Sequence, residues 1–304
     1  MTVIARRGLS PDFFADLEGG LLAPLRERVE RDRTLCLELR EDYINVYYRG
    51  GNVMRVSPAA GGYSAFFDPK YFEGAAPPMP SPRLRQPADV AAWITALPRL
   101  KEAMDLWLGR HAKDEREVQQ QLLRDNNLGG QAGDTDFYVC DIEYANDHGR
   151  FDLVAVHWAS TALERKKADG RRLVLGEVKY GDDALDGVAG LHAHVADVNA
   201  HLANPDNVAG LKLEMVRVFN QKRALGLMEC KKDLVSFSDE VPMLLLVLVN
   251  HKPRKSKLRE LLRTLPPSPH AELRIATGSL LGYGLYDPAV LTIEEALSRF
   301  ETCI

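Results

Sequence analysis

Asp152, Glu177 and Lys179 are the residues whose types and spacing could do chemistry. Glu177 and Lys179 stand two apart in the run RRLVLGEVKYG, and in an extended strand side chains two apart project from the same face. Asp152 lies near the start of an earlier apolar run, GRFDLVAVHW, where strand pairing would let it face the other two. Two carboxylates and an ammonium drawn into one pocket are costly to bury without compensating charge, and a divalent cation supplies that charge. Hard oxygen donors favour Mg²⁺ or Mn²⁺ over zinc. The competing reading makes the three into solvated edge residues tied in a surface salt bridge. The apolar neighbours, VAV after Asp152 and LVL before Glu177, speak for the pocket, because they are the residues of buried strands.

Such a pocket needs a sheet to hold it. After a charged loop, residues 172–180 read as a strand, preceded by two strand-like runs, 136–144 and 151–158, joined by a turn-rich hexapeptide that suits a hairpin. Upstream, residues 89–97 and 99–127 read as helices divided at Pro98, the second ending at Asn126, Asn127, Gly129 and Gly130. Downstream come helical stretches at 184–202 and 210–228, a buried strand at 242–250, a basic helix at 255–265, a strand at 272–279 and a last helix opened by Thr292. This order predicts an α/β domain over residues 99–304, a mixed central sheet flanked by helices. Residues 34–72 instead carry four short β segments separated by Glu41-Asp42, Gly50-Gly51 and Gly61-Gly62. Leu35, Leu37 and Leu39 alternate with Cys36, Glu38 and Arg40, the pattern of a half-buried strand. Residues 1–76 are thus expected to form an antiparallel β-rich module. Five prolines between positions 77 and 87 mark residues 77–98 as a linker with a short helix.

The chain has 304 residues, 45% hydrophobic and 27% charged, which suits a soluble globular protein and excludes disorder, collagen and coiled coil. A net charge of −4 does not advertise nucleic acid, so any such role must rest on a local patch. The opening MTVIARRGLSPDFF lacks a secretory apolar core, and the longest apolar run, 243–249, is too short to span a bilayer. A cytoplasmic protein with no membrane partner is the expectation. Cys36, Cys140, Cys230 and Cys303 show no C-x-x-C spacing, so they are expected to be reduced and mostly buried.

With Asp152 on one strand, Glu177-Val178-Lys179 on the next and a helix before them, the chain resembles the PD-(D/E)XK nuclease superfamily, whose restriction-endonuclease-like core is a helix, a β-hairpin, a third strand and a crossover helix. The resemblance spans residues 114–279 in architecture and four residues in motif. It implies a Mg²⁺- or Mn²⁺-dependent hydrolase of phosphodiester bonds in DNA, of the kind used in restriction, defence against phage, or repair. It implies that Asp152 and Glu177 hold the metal with the Val178 carbonyl, that Lys179 positions or deprotonates the attacking water and stabilises developing charge, and that Glu117 supplies the acid of the first core helix, with Glu115 close by as a substitute. Phe151 stands where the family name has proline, residues 158–172 lengthen the spacing from Asp to Glu, and no Gln-containing motif after E-x-K is identified. An inactive member that binds nucleic acid or a protein is the alternative. The N-terminal module would then be the surface for a partner protein or a second copy.

Other residues are candidates for substrate contact. Positions 211–263 hold twelve Lys and Arg against six Asp and Glu. Lys222, Arg223, Arg254 and Lys255 there, with Lys166, Lys167, Arg171 and Arg172 beside the site, are the expected nucleic-acid contacts. A solvated face is the competing reading. His192-x-His194 and His201 read as surface or capping histidines, because residues two apart on a helix point to different faces. The glycines of 278–284 lack a P-loop lysine and the dinucleotide order. Tyr43, Tyr47, Tyr48, Phe66 and Phe67 suit a sheet core better than base stacking.

Overall fold

The structure, a computed structural model, describes residues 6–74, 76–129, 133–251, 257–278 and 284–302, the side chains of 300–302 excepted. It divides into two compact units. The first comprises Arg6–Gln120 with Arg217–Met228, and the described part of the second lies within Gln121–Val216 and Glu229–Ile304.

The first unit opens with α1 (Pro11–Glu18) and α2 (Ala23–Arg31), then β1 (Leu35–Leu39), β2 (Ile44–Tyr48), β3 (Gly51–Ala59), β4 (Gly62–Phe66), β5 (Arg83–Leu84) and α3 (Pro87–Leu108). The five strands form one antiparallel sheet in chain order, the expected meander with one strand more. Leu35, Leu37, Leu39, Ile44, Val46 and Val56 join Phe13, Leu17, Leu25 and the α3 stripe of Val90, Trp93, Leu97, Leu100 and Met104 in one apolar core. The stripe recurs every three or four residues, as a helix with one buried face requires.

Three expectations need correcting in this unit. The proline-rich stretch is no linker: it supplies β5, and its Ser81 and Pro78 carbonyls accept hydrogen bonds from Trp93 Nε1 at 2.8 Å and Arg99 Nη2 at 2.7 Å. Proline lacks a backbone donor but keeps its carbonyl, so an edge strand and acceptor loop suit it. Helix α3 runs on through Pro98, because the apolar stripe continues across it, and a Gln86–Asp89 capping box starts it upstream. Finally, β1 is buried on both faces. Glu38 and Arg40 are as inaccessible as Leu37 and Leu39, and both are held in polar contacts.

The chain continues through α4 (Asp114–Asn127), β6 (Phe137–Asn146), β7 (Gly149–His157), β8 (Arg172–Tyr180), α5 (Leu191–Leu202), α6 (Pro205–Ala224), β9 (Met243–Val249), α7 (Leu258–Arg263), β10 (Glu272–Thr277), β11 (Val290–Leu291) and α8 (Ile293–Thr302). The division between units falls inside α4 and α6. In the second unit six strands form an open mixed sheet in the order β11-β10-β9-β8-β7-β6. β6, β7 and β8 are antiparallel neighbours; β8, β9 and β10 are parallel. A parallel pair needs a crossover, and α5 and α6 occupy the chain between β8 and β9. All seven residues of β9 are buried, which explains its unbroken apolar sequence at the middle of the sheet. The mixed α/β class with an antiparallel N-terminal sheet is the expected one. The unit boundary at Gln120, rather than residue 76, is not.

Candidate functional site

The site begins where β7 and β8 part. Their pairing runs from His157↔Arg172 to Leu153↔Gly176 and goes no further, whereas β8 stays paired with β9 as far as Tyr180↔Val249. Gly176 permits the last close approach, since a Cβ there would meet the Leu153 Cβ at 2.9 Å. Beyond it, the Asp152 side chain replaces the missing ladder: its Oδ2 accepts the Val178 backbone N–H at 2.9 Å. In an extended strand the N–H and C=O of one residue point to the same edge. The Val178 carbonyl therefore faces the Asp152 side as well. Gly181, at φ 73°, then turns the chain out of the strand while its N–H reaches Val249 O at 2.9 Å. His251 ties off this end, with Nε2 3.2 Å from Lys179 O and Nδ1 3.1 Å from Asp182 Oδ1.

Glu177 and Lys179 do share one face. Lys179 Nζ lies 2.8 Å from Glu177 Oε1, and each residue is only 4% exposed. Val178 points the other way, fully buried in the core. A buried carboxylate and ammonium lose most of their hydration, so this pair is a poor source of stability and is held at a cost. The residue that sequence reasoning missed is His194. Its Nε2 lies 2.9 Å from the same Glu177 oxygen. The Glu177 hydrogen bond raises the pKa of His194 against the opposing effect of burial; the nearby Asp152 charge adds to the rise and Lys179 works against it. The spacing rule was right that His192 and His194 diverge, for His192 turns to Leu261 O at 3.2 Å. What it lacked was any sign that the face carrying His194 meets β8.

No family model, curated protein or solved structure compared with the chain matches it. Both contacts to Glu177 are made at Oε1, and no described residue bonds Oε2. Among the described residues no three His, Cys, Asp or Glu side chains gather as metal ligands. A divalent ion here would rest on two carboxylates, a backbone carbonyl and water. That oxygen set suits Mg²⁺, which keeps several waters and needs few protein ligands. It does not suit zinc.

The remaining expected residues are distributed as follows. Glu117 belongs to the first unit, in the first turn of α4, with Arg49 Nε 3.5 Å from its Oε1. Lys222 corrects the expectation of a phosphate contact: it is 1% exposed and paired with Glu38, so no phosphate can reach it. Arg171 and Arg172 are largely engaged internally. Arg171 pairs with Glu164 at 2.9 Å and bonds residues 236–238 through its backbone; Arg172 pairs with Glu272 at 2.5 Å and donates to Val241 O at 2.8 Å. Lys167 also pairs with Glu164, at 2.5 Å, and these two cations hold that carboxyl below its usual range. Lys166 is exposed, and Arg223 is half-buried in the first unit. Arg254, Lys255, Cys303 and most of the glycine-bearing 278–284 stretch lie outside the described residues. Cys36 and Cys140 are buried and Cys230 is half-buried, and none of the three is in a disulfide. Tyr47, Tyr48 and Phe67 are buried, whereas Phe66 is exposed. Among the described residues, no helix is long and apolar enough to cross a membrane.

Proposed function

We propose that the second unit is the core of a divalent-metal-dependent nuclease of the PD-(D/E)XK kind, acting on DNA. One observation carries the reading: Asp152 bonds the Val178 amide at the point where β7 and β8 separate, beside a Glu177 that shares a face with Lys179. Asp152, Glu177 Oε2 and the Val178 carbonyl would hold the cation. When bound, Mg²⁺ or Mn²⁺ would polarise the scissile phosphodiester and acidify a water. The protein's own part is to present a fixed ammonium. Lys179 offers three donors, one of them spent on Glu177, so the others can orient a water and meet the negative charge that builds on the phosphoryl oxygens. Burial strengthens both interactions by lowering the local dielectric. The choice of DNA follows the family resemblance; the weak exposed basic charge near the site adds little to it.

The test is to incubate linear, circular and single-stranded DNA, with RNA in parallel, with the full chain and Mg²⁺ or Mn²⁺. Cleavage that disappears in Asp152→Ala and Lys179→Ala supports the reading. Retained cleavage in both variants would refute it. Metal-independent binding without cleavage would favour a nuclease-like module that has lost turnover.

A further inference from the structure

We propose that His194 is a positioning residue for Glu177, fixing which carboxylate oxygen is left to a divalent cation; this rests on the hydrolase reading above. The terminal torsion of a glutamate is broad and, unrestrained, lets its two oxygens exchange places. Glu177 is restrained at Oε1 by two donors from different elements: Lys179 Nζ at 2.8 Å from its own strand and His194 Nε2 at 2.9 Å from α5. Facing a carboxylate oxygen, Nε2 carries the proton and donates it. With both donors on Oε1, Oε2 is the oxygen that remains.

Lysine alone cannot set that orientation, because an ammonium with three donors can bond whichever carboxylate oxygen is turned toward it. The histidine can, because its ring is rigid and its helix is pinned. His192, on a different face of α5, bonds Leu261 O and approaches the Thr264 hydroxyl at 3.2 Å, and Asn199 Nδ2 donates to Ser268 Oγ at 3.0 Å. These contacts hold the rotation of α5 about its axis, and so the direction of His194. A histidine that served only as a surface residue would not leave a 25% exposed ring bonded to a carboxylate that is 5% exposed.

The experiment titrates Mn²⁺ alone into the full chain by electron paramagnetic resonance, with far-UV circular dichroism to verify folding. Wild type, Glu177→Gln, His194→Ala and His194→Gln are compared. Loss of a residue that orients a metal ligand typically weakens metal binding about 10–100-fold. That loss is expected in His194→Ala, with most of it regained in His194→Gln, whose side chain can still donate. Should the alanine variant fail to fold, His194→Asn, too short to reach Glu177, takes its place. Unchanged Mn²⁺ affinity in His194→Ala, alongside loss in Glu177→Gln, overturns the positioning role and leaves the hydrolase reading standing. No rescue by His194→Gln also overturns it. A wild-type protein that takes up no Mn²⁺ overturns both.

Discussion

Lys222 Nζ lies 2.7 Å from Glu38 Oε1, across 184 positions of sequence, and both side chains are 1% exposed. Lys222 compensates Glu38 for lost hydration inside the first unit, and Arg40 Nη1 lies 4.0 Å from the other carboxylate oxygen. Removing Lys222 takes away the nearer cation from a buried carboxylate, a change that costs about 3–5 kcal/mol. Lys222→Ala should therefore lower the urea midpoint sharply. Any loss of DNA affinity should follow the unfolded fraction and vanish where the variant is fully folded. A Lys222→Ala protein as stable as wild type would contradict this.

Replacing both partners of the Glu177–Lys179 pair should have a different effect. Under the proposed function the pair serves chemistry rather than stability, and buried pairs replaced by apolar residues of similar volume are often neutral or more stable by about 1–4 kcal/mol. Glu177→Leu combined with Lys179→Met should keep or raise the melting temperature without metal, while abolishing cleavage. A large drop in melting temperature would mean that the pair is structural.

Gly176 sets the distance between β7 and β8 immediately before the site. A valine there would push into Leu153, where a first added carbon already lies at 2.9 Å. Overpacking of this kind costs about 1–3 kcal/mol. Thermal melts of Gly176→Val should show that loss. Cleavage should fall further than stability explains, since Asp152 immediately precedes Leu153 on the strand that is displaced.

Acid should weaken the first unit through Asp32. Burial acts to raise its pKa, but hydrogen bonds from the Thr34 hydroxyl and Lys101, with the Thr34 amide, outweigh it and set the carboxyl at about 2, below the ordinary 3.8. A folded pKa below the unfolded one stabilises the fold above pH 3.8 and loses that contribution as pH falls toward about 2. Asp32→Asn should remove this part of the stability above pH 3.8 and flatten the decline below it. Denaturation midpoints measured across that range check the sign.

Period-two patterning made much of the architecture legible. Leu35, Leu37 and Leu39 announced β1 by alternation, which follows from backbone geometry alone, and the unbroken apolar runs around Asp152 and Glu177 announced β7 and β8 as buried strands. The same rule puts Glu177 and Lys179 on one face. It could not tell that the opposite face of β1 is covered, since Glu38 looks identical in sequence whether it meets water or Lys222. Nor could local signals carry α3 across Pro98, where the buried stripe outweighs a lost hydrogen bond.

What the amino-acid order determined by itself is therefore the kind and succession of elements, along with the chemistry their strand faces can offer. Which helix face meets which strand was decided only by tertiary packing. His194 reaches Glu177, and Lys222 reaches Glu38, because long-range burial joins positions with no local relation to one another. Helix and strand periods are properties of neighbouring residues. The partner of a side chain is a property of the whole packed core.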